Sequence, residues 1–229
     1  MNYSKESFEQ GQVILIDKPL RWTSFDVIQK LRKILGIRKI GHAGTLDPLA
    51  TGLLIICTGK FTKSINEYMA QEKEYTGTIT LGATTPTYDL ESEPMNFKPV
   101  EDINADAIEE ATKKFTGEIL QIPPAHSAIK VGGTRVYELA RQGKEVKLEP
   151  RKVTIKIFEI TKIEMPVVHF RVVCSTGTYI RSLAFDFGEA LGCGGHLSSL
   201  RRTKIGAFTA DDAMTPEVFE TKVREAATE

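Results

Sequence analysis

Between residues 41 and 52 the chain reads Gly-His-Ala-Gly-Thr-Leu-Asp-Pro-Leu-Ala-Thr-Gly, and no other stretch limits the fold as strongly. These twelve residues hold three glycines, one proline, one histidine and a single acid, Asp47. Neither a helix nor a regular strand tolerates glycine and proline at this density. Glycine lets the backbone approach a ligand closely, and Pro48 restrains Asp47 to an extended conformation. The flanking sequence does form elements. Residues 13–16 read as a short buried strand, ended by Asp17-Lys18-Pro19. Ser24 then caps a helix with Val27, Ile28, Leu31, Ile34 and Leu35 on one stripe, and Gly36 stops it. Residues 53–58 form a second buried strand. An irregular loop carrying one carboxylate is therefore set between a helix and a buried strand.

Further along, Tyr75, Gly77, Ile79 and Leu81 alternate with Thr76, Thr78 and Thr80, the period of a half-buried strand. Residues 84–94, TTPTYDLESEP, read as an exposed loop. A helix is predicted over 104–115 and a shorter one over 134–142, closed by Gly143. Residues 153–163 and 167–175 read as a hairpin broken at Met165-Pro166. A helix over 178–191, a strand over 197–202 and a last helix opened by Pro216 complete the chain. The order is mixed rather than a regular βαβ alternation, which favours an α+β fold with a largely antiparallel sheet.

Composition removes several classes of function. With 229 residues and 41% hydrophobic content the chain can bury a real core. Its longest apolar run, residues 53–57, falls far short of the ~20 residues that cross a bilayer. The N-terminal MNYSKESFEQ has no signal-peptide apolar region. Cys57, Cys174 and Cys193 make neither a disulfide framework nor a CxxC pair. A protein of the reducing cytoplasm is expected. Thirty basic and thirty acidic residues cancel, which argues against a histone-like polyanion binder, but the charges come in blocks. Residues 29–39 hold five cations and no acid. Residues 89–118 hold nine acids against three bases, and residues 130–156 eight bases against three acids. Such blocks fit either an unevenly solvated surface or a basic face that meets nucleic acid.

Four places can carry chemistry. Asp47 either caps a tight turn or acts on a ligand. No Gly-Lys-Ser/Thr closes its loop, so it is not a nucleotide-binding P-loop. His42 and Asp47 lack a credible third metal ligand nearby, and Cys193 with His196 lacks a second pair, so a metal-assisted hydrolase built on His42, Asp47 and His196 is a rival reading of lower rank. In Ser175-Thr176-Gly177-Thr178-Tyr179-Ile180-Arg181, Thr176 or Thr178 is placed to cap the helix. Arg181 in its first turn opposes the helix dipole and needs a partner elsewhere, for which a carboxylate such as Asp47 is suited. Tyr75 is either core or a platform for a nucleobase, a contact worth ~1–3 kcal/mol. Arg201 and Arg202 are either solvated or phosphate clamps.

Together these motifs resemble one family, the TruB-type tRNA pseudouridine synthases. The likeness runs in order through Asp17-Lys18-Pro19, GHAGTLDPLATG, LLIICTG, KEYTGTITLG, IPPAHSAIK, STGTYIRSL and LRRTKIGAF, nearly the whole chain. It implies an α+β pseudouridine synthase fold, a mixed and mainly antiparallel sheet flanked by helices and loops. It further implies isomerisation of uridine-55 in the T loop of tRNA to pseudouridine, without a cofactor or metal. A tRNA-folding role is compatible with the same grip, and a purely non-catalytic RNA binder is the rival that would not need Asp47.

By the resemblance Asp47 is the catalytic aspartate, Arg181 the arginine that pairs with it and Tyr75 the aromatic stacked on the flipped uracil. Tyr179 and Leu200 line the pocket; for the base that removes the C5 proton, Tyr179 is a candidate by position alone. His42 enters the T loop, and Lys18 and Lys130 are basic positions near the RNA. The implied partner is the tRNA T arm, with no DNA or membrane, bound by a monomer. One catalytic domain over 1–229 is expected, with an RNA-gripping insertion near 121–151. Only about 25 residues follow Lys204, so a short extension over 205–229 is expected in place of a full PUA domain. Where relatives commonly read Pro-Pro-Met-Tyr-Ser-Ala-Leu-Lys, this chain has Pro123-Pro124-Ala125-His126-Ser127-Ala128-Ile129-Lys130.

Overall fold

A computed structural model describes residues 2–125, 130–131, 134–135 and 148–228, the two short internal pairs as backbone alone. In chain order the elements are α1 (Lys5–Gln10), β1 (Val13–Lys18), α2 (Ser24–Leu35), β2 (Ile40–Ala43), β3 (Ala50–Thr58), α3 (Ile65–Ala70), β4 (Lys73–Leu81), α4 (Ala105–Lys113) and β5 (Gly117–Gln121). There follow β6 (Lys130–Val131), β7 (Thr134–Arg135), β8 (Arg151–Glu164), β9 (Val167–Cys174), α5 (Ile180–Ala190), β10 (Gly195–Ile205), β11 (Phe208–Thr209) and α6 (Pro216–Ala226). The chain divides into two compact units, residues 1–75 with 200–229, and residues 76–199. The division falls within β4, after Tyr75, and within β10, before Leu200. The fold is α+β, with mainly antiparallel strands and a parallel pairing of β3 with β10.

In the first unit β3 is central. β1 pairs with it antiparallel, placing Lys18 opposite Gly52, and β10 pairs with it parallel, placing Arg202 opposite Gly52. The continuous apolar run in β3 follows from burial on both faces. Leu54 and Ile56 pack with Val27, Ile28, Leu31 and Leu35 of α2, while Leu53, Ile55 and Cys57 pack with Ala43 and Ile205. Each fully buried aliphatic side chain contributes roughly 1.5–3 kcal/mol. The C-terminal helix α6 belongs to this core: Phe219 meets the edge of Phe8 at 6.0 Å between ring centres.

Thr23, not Ser24, caps α2. Its hydroxyl accepts from the Asp26 N–H at 3.0 Å, and the Asp26 carboxylate accepts the Thr23 N–H at 2.8 Å, a reciprocal box that adds ~1 kcal/mol. Ser24 is one residue further in and buried. Gly36 ends the helix in the left-handed region, φ 61°, as expected.

In the second unit the strand order is β10-β4-β9-β8-β5. The β8–β9 hairpin carries Phe158 and Phe170 inward, and Phe158 meets Phe187 of α5 edge-on at 5.2 Å. β4 and β10 approach so closely here that a Cβ on Gly77 would lie 2.2 Å from the Ser199 carbonyl oxygen. Residues 84–94 depart from the expected exposed loop. Thr85, Thr87 and Asp89 are buried, while Pro86 and Leu90 are exposed, because a cation within the unit draws the polar side of the loop inward. The helix expected over 134–142 falls outside the described residues beyond its first two positions, and those pair as strand β7 with β6. Most of the expected insertion near 121–151, His126 included, also lies outside them.

Candidate active site

Asp47 sits on the loop between β2 and β3, partly exposed, and the loop is tied down on either side of it. Ser24 holds the residue before: its hydroxyl accepts the Leu46 N–H at 2.9 Å and donates to the Leu46 carbonyl at 3.3 Å. Lys18 holds the residue after. Its ammonium donates to the carbonyls of Pro19 (3.1 Å), Pro48 (3.4 Å) and Trp22. The Arg21 N–H also donates to the Pro48 carbonyl, at 2.8 Å. The Ala50 N–H closes the turn onto the Asp47 carbonyl at 3.0 Å. A carboxylate mounted this way loses little conformational freedom when it meets a reactant.

Two buried cations back the loop. Arg202, 1% exposed, donates from Nε to the Leu53 carbonyl at 2.8 Å and from Nη2 to the Gly44 carbonyl at 3.0 Å. It is thus neither solvated nor a phosphate clamp. Its neighbour Arg201 makes a two-pronged pair with Asp17 at 2.8–2.9 Å. Lys18 is fully buried, and Lys18, Gly52 and Arg202 lie in one row across three strands. That row admits only glycine at its centre: Gly52 has φ 101°, and a Cβ there would lie 2.3 Å from the Arg202 carbonyl oxygen. Burial drives the Lys18 pKa down to about 8, the Asp47 carboxylate pulls it back up, and Arg202 adds to the depression. His42 on β2 is held below its ordinary pKa by burial first and then by Arg202, so the imidazole is neutral at pH 7. Tyr75 is buried on β4, and Leu200 on β10 pairs with Ala50, three residues beyond Asp47. The first unit therefore gathers Asp47 and Lys18, with His42, Tyr75 and Leu200 on its strands.

Arg181 and Tyr179 belong to the second unit. Arg181 is buried in the first turn of α5; it donates to the Thr87 carbonyl at 3.2 Å, and its Nε lies 3.9 Å from the Asp89 carboxylate. Asp89 is itself set in place by the Thr87 hydroxyl at 2.7 Å and the Glu91 N–H at 3.0 Å. A buried cation opposed to the helix dipole thus has a carboxylate in its own unit, which explains why residues 85–89 turn inward. Neither Thr176 nor Thr178 caps α5. Tyr179 holds the cap position, its N–H and carbonyl bound by the Gln121 side-chain amide at 2.8 and 3.0 Å. The side chain of Lys130 lies outside the described residues.

Asp89 and Gln121 are participants that residue patterns alone did not name, and Ser24 and Arg202 were named for other roles, as a helix cap and as a solvated or phosphate-clamping cation. Each acts on backbone or on a charge distant in sequence, and only the run of buried polar side chains marks them. Among the described residues no three His, Cys, Asp or Glu side chains are grouped to hold a metal ion, and His196 is engaged with the Ala83 carbonyl at 3.0 Å. No described helix is long and apolar enough to cross a membrane.

Comparison with known proteins fits this arrangement. The family model described as "TruB family pseudouridylate synthase (N terminal domain)" matches residues 32–180, and "tRNA pseudouridylate synthase B C-terminal domain" matches residues 181–229. A protein of Flavobacterium johnsoniae named tRNA pseudouridine synthase B is 57% identical over 94% of this chain and 97% of its own. One of the same name from Chlorobaculum tepidum is 49% identical over 96% and 93%. Among solved structures, a Cbf5-Nop10-Gar1 complex superposes with a TM-score of 0.72 at 34% identity over 92% of this chain. An H/ACA ribonucleoprotein bound to a substrate RNA containing 2'-deoxyuridine gives 0.68 at 32% identity, also over 92%. The chain spans 54% and 52% of those two solved chains. On the sequence match over most of its length, the chain belongs to the TruB family of pseudouridylate synthases.

Proposed function

We propose that this chain isomerises uridine-55 in the T loop of tRNA to pseudouridine, with Asp47 as the nucleophile. The observation that carries the reading is a single carboxylate on a glycine-bracketed loop, tied at Leu46 and Pro48 and coupled to the charge of buried Lys18. Base extrusion costs a few kcal/mol, less in a folded RNA loop whose bases are already partly unstacked. Stacking on Tyr75 and packing by Leu200 would offset that cost, and His42 would enter the space the base leaves. A neutral imidazole suits that task, because it carries no charge to be desolvated among bases.

Chemically, the N1–C1′ bond breaks, the uracil turns and a C5–C1′ bond forms. The C5 proton is lost to a base and N1 gains one, so atoms and electrons balance without a cofactor. The Asp47 carboxylate attacks C1′ or C6, forming a covalent intermediate that is resolved once the ring has turned. Arg181, poised by Asp89, would keep the attacking group ionised, and Tyr179 would accept the C5 proton. The Lys18 charge acts on the substrate through Asp47, since its own ammonium is committed to backbone carbonyls. Lys130 would meet the RNA backbone. The enzyme would act alone, in the cytoplasm, as one catalytic domain with its RNA-gripping insertion.

Release of tritium from C5-labelled tRNA, followed by mapping of the modified position in the T arm, tests the reading. Wild-type protein is expected to release label at one uridine, and Asp47→Asn to release none while still binding tRNA. Label release by Asp47→Asn at the wild-type rate would reject it.

A further inference from the structure

Arg21 has a backbone that few arginines adopt. Its φ is 69°, in the left-handed region that glycine occupies freely and that a side chain with a Cβ resists. The surrounding turn gives it no room to relax. The Arg21 N–H is bound to the Pro48 carbonyl at 2.8 Å, and the Lys18 ammonium gathers the carbonyls of Pro19, Trp22 and Pro48 around it. The turn at 19–22 and the loop carrying Asp47 are thereby locked together.

The side chain is in the opposite condition. It is exposed, and its guanidinium has neither a hydrogen-bond acceptor nor an ion-pair partner among the described residues. The nearby acids are engaged elsewhere: Asp26 with Thr23, and Asp17 with Arg201. Leu20 and Phe25, on either side in sequence, are 54% and 59% exposed. A turn with no task for this position would be served better by glycine or asparagine. Here the strain falls on an unpaired cation one hydrogen bond from the residue that follows Asp47, and strained backbone concentrates where function demands it.

We infer that Arg21 is a substrate-binding residue that grips a backbone phosphate of the RNA strand carrying the target nucleotide. This rests on the proposed action on tRNA. A phosphodiester fits the observations because it arrives with the substrate, which explains why no carboxylate among the described residues satisfies the guanidinium beforehand. Its oxygens match the two-pronged geometry of arginine. Because the main chain of Arg21 is bonded to Pro48, a phosphate held there is at a fixed separation from the Asp47 loop. The contact therefore sets the register of the strand as well as adding affinity.

Two variants separate strain from charge. Arg21→Ala removes the cation and keeps a Cβ, whereas Arg21→Gly removes both. Binding of a T-arm RNA hairpin is measured by titration across a salt series, turnover on full tRNA by tritium release, and stability by thermal melting. Both variants are expected to weaken binding and raise KM about 5- to 10-fold, and to flatten log K against log salt by about one phosphate contact. Arg21→Gly alone is expected to melt above wild type, by roughly 2–4 °C. Wild-type affinity and salt slope in both variants would overturn the phosphate contact. A glycine variant that melts no higher than the alanine variant would overturn the strain on which the inference stands. The RNA titration needs no turnover, so a wild-type protein that binds the hairpin but leaves its uridine unchanged would refute the proposed reaction while Arg21 is still judged by its salt slope.

Discussion

At the scale of single residues, the site is a problem of holding one carboxylate still with backbone contacts. Ser24 shows this most clearly. Its hydroxyl is not needed at the start of α2, because Thr23 and Asp26 already satisfy that end, and it is used instead on both polar groups of Leu46. Ser24→Ala is expected to lower kcat about 10-fold with little change in KM, since a displacement of the Asp47 loop penalises the reacting geometry more than it penalises binding. Thr23→Ala supplies the control. It should lower stability by ~1 kcal/mol and leave kcat alone. Equal kcat losses in the two variants would show that Ser24 is only structural.

Lys18 gives a pH signature at the same scale. Its pKa in the folded protein, about 8, lies below the ordinary lysine value of 10.5, so between those values the unfolded chain binds more protons than the folded one. Stability from this group therefore rises with pH through that window, by at most about 1.4 kcal/mol per unit, and is constant below it. Urea melts of wild type and Lys18→Met at pH 7, 8.5 and 10 should show wild type gaining on the variant as pH increases. A difference independent of pH would mean that Lys18 is not held in a charge-disfavouring place.

At the scale of elements, the row Lys18–Gly52–Arg202 decides how closely β1, β3 and β10 can carry two buried cations past each other. Gly52→Ala adds one methyl group against the Arg202 main chain on a backbone with positive φ. We expect a loss of more than ~3 kcal/mol, seen as insoluble protein or a melting point lowered by 10 °C or more. The capping of α2 teaches a related lesson. Thr23 and Ser24 are both good caps by residue type, and local sequence cannot rank them. Burial of the second beneath Leu46 makes the first the cap. Likewise, the acidic look of residues 84–94 suggested a solvated loop, but Asp89 turns inward because Arg181, more than ninety positions away, is buried in the same unit.

At the scale of the whole molecule, the C-terminal helix is part of the first unit's core and not a trailing appendage. Phe219 is fully buried against Phe8 and Tyr3, and Glu220 pairs with Lys30 of α2. Phe219→Ala is expected to destabilise by about 3–5 kcal/mol in urea unfolding, with a cavity as the cause. A cost below 1 kcal/mol would mean that this helix contributes nothing to the core.

What the amino-acid sequence determined unaided is whatever depends on neighbours within a few residues. The apolar stripe of α2, the alternation along β4 and the hairpin at Met165-Pro166 are of this kind, and each lies where local pattern places it; the loop around Asp47 is shorter than its glycines suggested, because residues 40–43 and 50–52 at its two ends pair as strands. The family resemblance was legible for the same reason, since short motifs survive as contiguous strings. Only the tertiary structure decided which polar groups would be buried and what would satisfy them: Lys18 on three carbonyls, Arg202 on Leu53 and Gly44, Asp89 beside Arg181, and Arg21 without a side-chain partner among the described residues. A charge taken out of water must find a partner wherever packing brings one, and that partner is chosen by the register of strands distant in sequence, which no local pattern encodes.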